Sequence, residues 1–258
     1  NTHMRFLYSK GSMYKTINGN LLFHGCIPLD ENGELLSLSI AGVQYSGKAM
    51  LDKLDEIANK AYFLQPCEEK SNCADHLWYL WSGARSPLYG KDKMAFFERY
   101  FLEDKKLHKE NYNAYYHFSE NPEICGKILE MFGLDPQRGH IINGHVPVKI
   151  KNGESPVKAD GRLFVIDGGI SKAYQKATGI AGYTLIYDSH SLNLAEHKPF
   201  IAGESEHTPE IHMVERLDRR ANISDTDKGR ELLLQINDLR DLLDAYRSGD
   251  IKEGYKVF

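Results

Sequence analysis

Cysteine is scarce in this sequence. The four present, Cys26, Cys67, Cys73 and Cys125, include no CxxC pair, and so few in 258 residues do not make a disulfide scaffold. Reduced thiols are expected. Long apolar runs are missing too: stretches such as Leu163 to Ile166 fall far short of the ~20 residues a membrane-spanning helix needs, and no charged-then-apolar leader opens the sequence. We expect no membrane partner and a cytoplasmic location. Neither sign of charge dominates, since 32 Lys plus Arg face 36 Asp plus Glu for a net charge of -4, and no electrostatic footprint for nucleic acid is visible. A small anionic substrate would need a local basic pocket. There is no initiator Met either. The start, Asn1-Thr2-His3-Met4-Arg5, reads like the middle of a folded protein, and a fragment is expected.

What is present suits a folded chain. Hydrophobic residues make up 41% and charged residues 26%, close to the average for globular domains and far from disorder. Asn20 to Phe23, after the turn signal Asn18-Gly19, reads as a strand that delivers His24-Gly25 at its end. Leu35 to Ile40 is a second strand. Ala49 to Leu64 carries Leu51, Leu54, Ile57, Ala58 and Ala61 at helical spacing, Pro66 to Ala74 reads as a loop, and Asp92 to Phe101 as a helix. Asn111 to His117 is tyrosine-rich without a period. A helix over Pro122 to Phe132 is stopped by Gly133. His140 to Ile142 is a short strand ending in Asn143-Gly144-His145, Arg162 to Ile166 another ending in Asp167, and Tyr183 to Tyr187 with Leu192 to His197 a hairpin. Ala202 to Asn222 reads as loop with one strand at most. Ser224 and Asp227 have capping-box spacing, and the apolar stripe Leu232, Ile236, Leu239, Leu243 and Tyr246 predicts a helix over Asp225 to Arg247. Burial of the stripe against its own domain is expected, with homo-oligomer contact the alternative.

Two constellations bear on chemistry. Gly42 to Ala49 has phosphate-loop spacing, but Ala49 stands where a magnesium-binding hydroxyl is needed and bulky Tyr45 where backbone must wrap phosphates. A hairpin or turn feeding a helix is the better reading. His24 and His145 each follow an apolar strand at a Gly-containing turn, where imidazoles can converge on one cation; surface hydrogen bonding is the plainer alternative. Two nitrogens do not complete a site. Asp167, at a comparable strand end, is a third ligand, a hydrogen-bond partner of a ligand, or a turn-capping carboxylate.

These residues carry a resemblance. Leu22-Phe23-His24-Gly25-Cys26-Ile27-Pro28, Leu80-Trp81-Ser82 and Gly144-His145-Val146-Pro147 resemble, in order and context, motifs of the calcineurin-like metallophosphatases. The fuller wording adds Trp78-Tyr79-Leu80-Trp81-Ser82-Gly83, Phe97-Glu98-Arg99-Tyr100-Phe101, Ile141 through Lys149, Val165-Ile166-Asp167-Gly168-Gly169, and Thr178 through Thr184. It is similar to the bacterial class III fructose-1,6-bisphosphatases over nearly the whole chain.

The resemblance implies an α/β or α+β fold: the C-terminal portion of a metallophosphatase β-sandwich flanked by helices over residues 1–222, then a helix and tail over 223–258. It implies hydrolysis of the 1-phosphate of fructose 1,6-bisphosphate in gluconeogenesis at a dinuclear manganese site, with His24 and His145 on one metal. The family's other ligands come from Asp-x-His, Gly-Asp-x-x-Asp-Arg and Gly-Asn-His motifs, none of which occurs here. The missing N-terminal part of the same protein is therefore an expected partner, and the isolated chain is expected to be inactive. Arg85 and Lys91 are candidates for the substrate phosphates, because a guanidinium contacts two oxygens at once; solvated loop charges are the alternative. Arg99 is a further candidate, or pairs with Glu98 or Glu103. His140 is a group supporting the ligands, a general acid, or a plain strand-entry histidine. A protein or dinucleoside-polyphosphate phosphatase, and a metal-free assembly or ligand-binding module, remain as other functions.

Overall fold

The computed structural model describes residues 2–167, 169, 177–180, 182–199 and 208–252. Gly168, Ala181 and the 202–207 part of the segment read as loop lie outside them. The fold is mixed α/β. Strands β1 (Tyr14–Ile17), β2 (Asn20–Phe23), β5 (His140–Asn143), β6 (Val157–Lys158) and β7 (Leu163–Val165) form one sheet in the order β1-β2-β5-β7-β6. Within it β2, β5 and β7 are parallel, so their carboxyl ends share one edge. Residues of β5 and β7 are buried throughout, as strands covered on both faces must be. A second sheet, β10-β9-β8, is antiparallel, built from β8 (Gly182–Tyr187), β9 (Ser191–His197) and β10 (Glu210–Arg216). It adjoins the first through Tyr183 N–H donating to Ile166 O at 3.2 Å.

The crossover from β2 to β5 holds most of the helices. Hairpin β3 (Ser37–Ile40) and β4 (Val43–Ser46) turns through Ala41 and Gly42, both at positive φ, and runs directly into α2 (Gly47–Phe63). The phosphate-loop look-alike is thus a hairpin feeding a helix. Met50, Leu51, Leu54, Ile57 and Ala61 of α2 are buried in the core that includes Leu21, Leu129, Ile141 and Phe164. Helix α3 (Glu68–Ser82) replaces the loop expected over Pro66 to Ala74. Only Cys73 and Leu80 of it are buried, which leaves little apolar period to read, while Glu68 and Glu69 favour its start by facing the positive end of the helix dipole. Helix α4 (Phe96–Phe101) is shorter than expected because Asp92 instead accepts hydrogen bonds from the Asn111 backbone and side chain. Next come α5 (Tyr115–Phe118) and α6 (Pro122–Met131); Gly133 follows α6 at φ 73°.

Helix α1 (Thr2–Lys10) precedes β1, and α7 (Asp227–Ser248) closes the order. The start of α7 is capped by Thr226, not Ser224: its side chain accepts from Gly229 N–H, and the capping box lies one turn earlier at Asn222 and Asp225. Asp227 and Asn18 exchange hydrogen bonds of 2.6 and 2.9 Å between side chain and backbone, pinning the helix to the β1–β2 turn. The expected burial of its stripe is not found. Leu232, Ile236, Leu239, Leu243 and Tyr246 are all exposed, since only Gly229 of the helix is buried. Periodicity identifies an apolar face but not what covers it. Leu239→Ala should therefore change the stability of this chain by less than about 0.5 kcal/mol in urea denaturation, whereas Leu54→Ala in α2 should cost about 2 to 5 kcal/mol. No helix among the described residues is long and apolar enough to cross a membrane.

Candidate metal centre

The shared carboxyl edge of β2, β5 and β7 brings His24, His145 and Asp167 together. Register pairs Leu22 with Ile142 and Asn143 with Val165, so the three residues leave neighbouring strands within one or two positions of the edge, where parallel sheets commonly hold ligands. His24 Nε2 lies 3.0 Å from His145 Nδ1, with the rings at 76° and their centres 4.9 Å apart. Two cavities, of 680 and 690 Å³, are both lined by these two histidines. The first is otherwise largely apolar, with Met13, Leu77, Leu80, Trp81 and Leu88; the second includes Lys15, Asn143 and Asp167.

The backbone around the pair is tightly specified. His145 has φ 66°, and Val146 N–H donates to Gly144 O at 2.8 Å, a three-residue turn of the rare left-handed kind. Such outliers cluster where surroundings hold a side chain for use. Gly144 N–H donates to His24 O at 3.0 Å, and Cys26 N–H to Pro87 O at 2.9 Å. His145 Nε2 lies 2.8 Å from Tyr89 O; a carbonyl only accepts, so Nε2 carries the proton and Nδ1 turns its lone pair toward His24. Burial, and then His24 beside it, lower the His145 pKa against the opposing pull of the Tyr89 carbonyl and Asp167, which keeps the ring neutral as a ligand must be.

Asp167 faces this edge but caps a turn: its Oδ1 accepts from Gly169 N–H at 2.8 Å. Its carboxylate is close enough to Gly144 that a Cβ there would lie 3.9 Å from Oδ2. His140 does not join the group. It pairs with Asn20 at the opposite end of the parallel strands, about 13 Å from Gly144 at the usual rise per strand residue. There it contacts Asn20 Oδ1 at 3.0 Å and Glu215 at 2.6 Å, linking the two sheets, and burial lowers its pKa despite Glu215.

The cations divide as well. Arg85 donates to Ser37 O at 2.7 Å and lines neither cavity beside the histidines. Lys91 pairs with Glu110 at 2.7 Å and Arg99 with the same carboxylate at 3.6 Å, so Arg99 meets neither Glu98 nor Glu103. Lys91 also sits over the rings of Tyr89 and Tyr112; burial opposes its charge, but Glu110 raises its pKa overall. Glu110 and Tyr89 are the residues that sequence reasoning passed over. Their signal was slight, one acid in a charged loop and one backbone carbonyl.

Among the described residues no group of three or more His, Cys, Asp or Glu is placed to hold a metal ion. The family model described as Firmicute fructose-1,6-bisphosphatase matches residues 1–248. The chain belongs to that family. Among curated members, Fructose-1,6-bisphosphatase class 3 1 of Clostridium beijerinckii is 51% identical over 263 residues, covering 100% of this chain and 40% of the relative. The class 3 enzyme of Clostridium botulinum strain Alaska E43 is 53% identical over 258 residues, 97% of this chain and 39% of that one. That of Fusobacterium nucleatum is 50% identical over 257 residues, 97% and 40%. The chain thus spans about 40% of the length of these fructose-1,6-bisphosphatase relatives. No solved structure matches it.

Proposed function

We propose that this chain is the carboxyl-terminal part of a class III fructose-1,6-bisphosphatase, and that His24 and His145 are two ligands of one ion in a dinuclear manganese site completed by the rest of the polypeptide. The 3.0 Å approach of His24 Nε2 to His145 Nδ1 carries the reading. Two nitrogens bound at right angles to one ion, each at about 2.1 Å, stand about 3.0 Å apart. Donation of the other His145 nitrogen to a backbone carbonyl is the usual way an imidazole ligand is oriented. When bound, a pair of divalent ions supplies polarisation of the phosphoryl oxygens and a water acidified into a nucleophile for in-line displacement.

The chain's own residues do the rest. His24 and His145 present ring nitrogens from fixed turns, and Asp167 adds negative charge beside His145. Lys91, two residues from Tyr89 and close enough to His145 to oppose its charge, is a cation for a substrate phosphate, released from Glu110 or shared with it. Arg99 would join through the same carboxylate, and Arg85 from the β3 side. In this reading residues 1–222 belong to a calcineurin-like domain, residues 223–258 form helix and tail, and the whole enzyme works in gluconeogenesis in the cytoplasm.

Phosphate release from fructose 1,6-bisphosphate by the full-length protein, compared with a phosphopeptide and a dinucleoside polyphosphate, tests the proposal. Manganese-dependent hydrolysis selective for the sugar bisphosphate is expected. The isolated 258-residue chain should bind manganese weakly and hydrolyse nothing, because two neutral imidazoles do not balance two dications. Hydrolysis by the isolated chain would show that the ligands are misassigned.

A further inference from the structure

Asn143 is 3% exposed and Tyr115 completely buried, both directly behind the histidine pair. Asn143 lies two residues before His145 on β5, yet its side-chain Nδ2 reaches back to the other histidine's turn, donating to Gly25 O at 3.4 Å and to the Tyr115 hydroxyl at 2.9 Å. Tyr115 is held in turn: its backbone N–H donates to Asn113 Oδ1 at 3.0 Å, and its ring packs edge-on against Phe23, the residue before His24, at 5.8 Å between centres. Asn143 Oδ1 is buried without a hydrogen-bond partner. An unsatisfied buried acceptor destabilises a fold, so the amide is held here by what its Nδ2 donates to, the Tyr115 hydroxyl and the turn after His24.

We propose that Asn143, braced by the Tyr115 hydroxyl, is the positioning residue that sets the separation of His24 from His145. Among the described residues the backbone hydrogen bond between the two turns, Gly144 N–H to His24 O, fixes one point and leaves rotation about it. The Asn143 amide adds a second point at Gly25 O and so removes that rotation. The proposal rests on the reading of the two histidines as ligands of one ion.

The test uses the full-length protein, with manganese binding followed by loss of the electron paramagnetic resonance signal of the free aquo ion. Asn143→Leu removes the unpartnered Oδ1 but leaves the buried Tyr115 hydroxyl and Gly25 O without their donor, so it should lower the melting temperature modestly while weakening manganese binding about tenfold, the low end of the effect seen when groups that orient ligands are lost. Excess manganese should restore kcat without a change in KM for the substrate. Tyr115→Phe, which keeps the ring and removes the hydroxyl, should shift binding the same way by less, and stands in if Asn143→Leu fails to fold. Unchanged manganese affinity in folded Asn143→Leu or Tyr115→Phe, with binding lost in His145→Ala, would overturn the positioning role and leave the metal site intact. Unchanged affinity in His24→Ala and His145→Ala would remove the metal site and the positioning role together.

Discussion

In the full-length protein, His24→Ala or His145→Ala is expected to lower kcat by at least about 100-fold, because losing a group that merely orients a ligand already costs about 10 to 100-fold. The loss should fall on turnover more than on KM. A ligand of the ion acts on charge that develops in the transition state, and binding of the substrate's remote parts is untouched. His145→Ala should have the second consequence of freeing Tyr89 O, the carbonyl that now accepts from Nε2. Steady-state kinetics with manganese in excess, beside a circular-dichroism check of folding, measures both variants. Activity within a few-fold of the parent in both would remove the histidines from the reaction.

The second large effect is on stability. Gly25→Ala should cost about 3 kcal/mol or more, at or beyond the upper end of ordinary overpacking, in urea denaturation. A Cβ on Gly25 would lie 2.3 Å from Pro87 O and 3.0 Å from Leu88 O. These are backbone atoms, so the 86–89 segment has to move rather than a side-chain tip. That segment accepts from Cys26 N–H and, at Tyr89, from His145, so displacement disturbs both histidines together. Gly126→Ala is the control: it meets nothing closer than Pro136 Cβ at 3.4 Å in the middle of α6 and gains helix propensity, and its stability should be unchanged or higher.

Much of this edge was legible in the sequence because each strand announces its own end. Asn20 to Phe23, His140 to Ile142 and Arg162 to Ile166 are apolar runs closed by turn residues, and they form β2, β5 and β7 within a residue or two. The residue delivered after each run is then a candidate for whatever the edge does. The sense of the strands is not written in any one run. Without it, His140 at the start of β5 and His145 past its end are equal candidates for the site, and only the parallel pairing puts His145 rather than His140 at the edge that His24 shares. Partners distant in sequence were also hidden: Glu110 gathers Lys91 and Arg99, and nothing local to any of the three says so. The leucine stripe of α7 marks the other limit. Its period of four and three predicts the helix well, but a period reports which residues want burial, not which surface provides it, and among the described residues none does.

The central claim is that one ion sits between His24 Nε2 and His145 Nδ1. A crystal structure of the full-length protein grown with manganese, with anomalous diffraction locating the metal, addresses it directly. The account predicts a peak about 2.0 to 2.3 Å from both nitrogens, with His145 Nε2 still donating to Tyr89 O. Peaks elsewhere in the protein, with His24 Nε2 and His145 Nδ1 still bonded to each other, would contradict it.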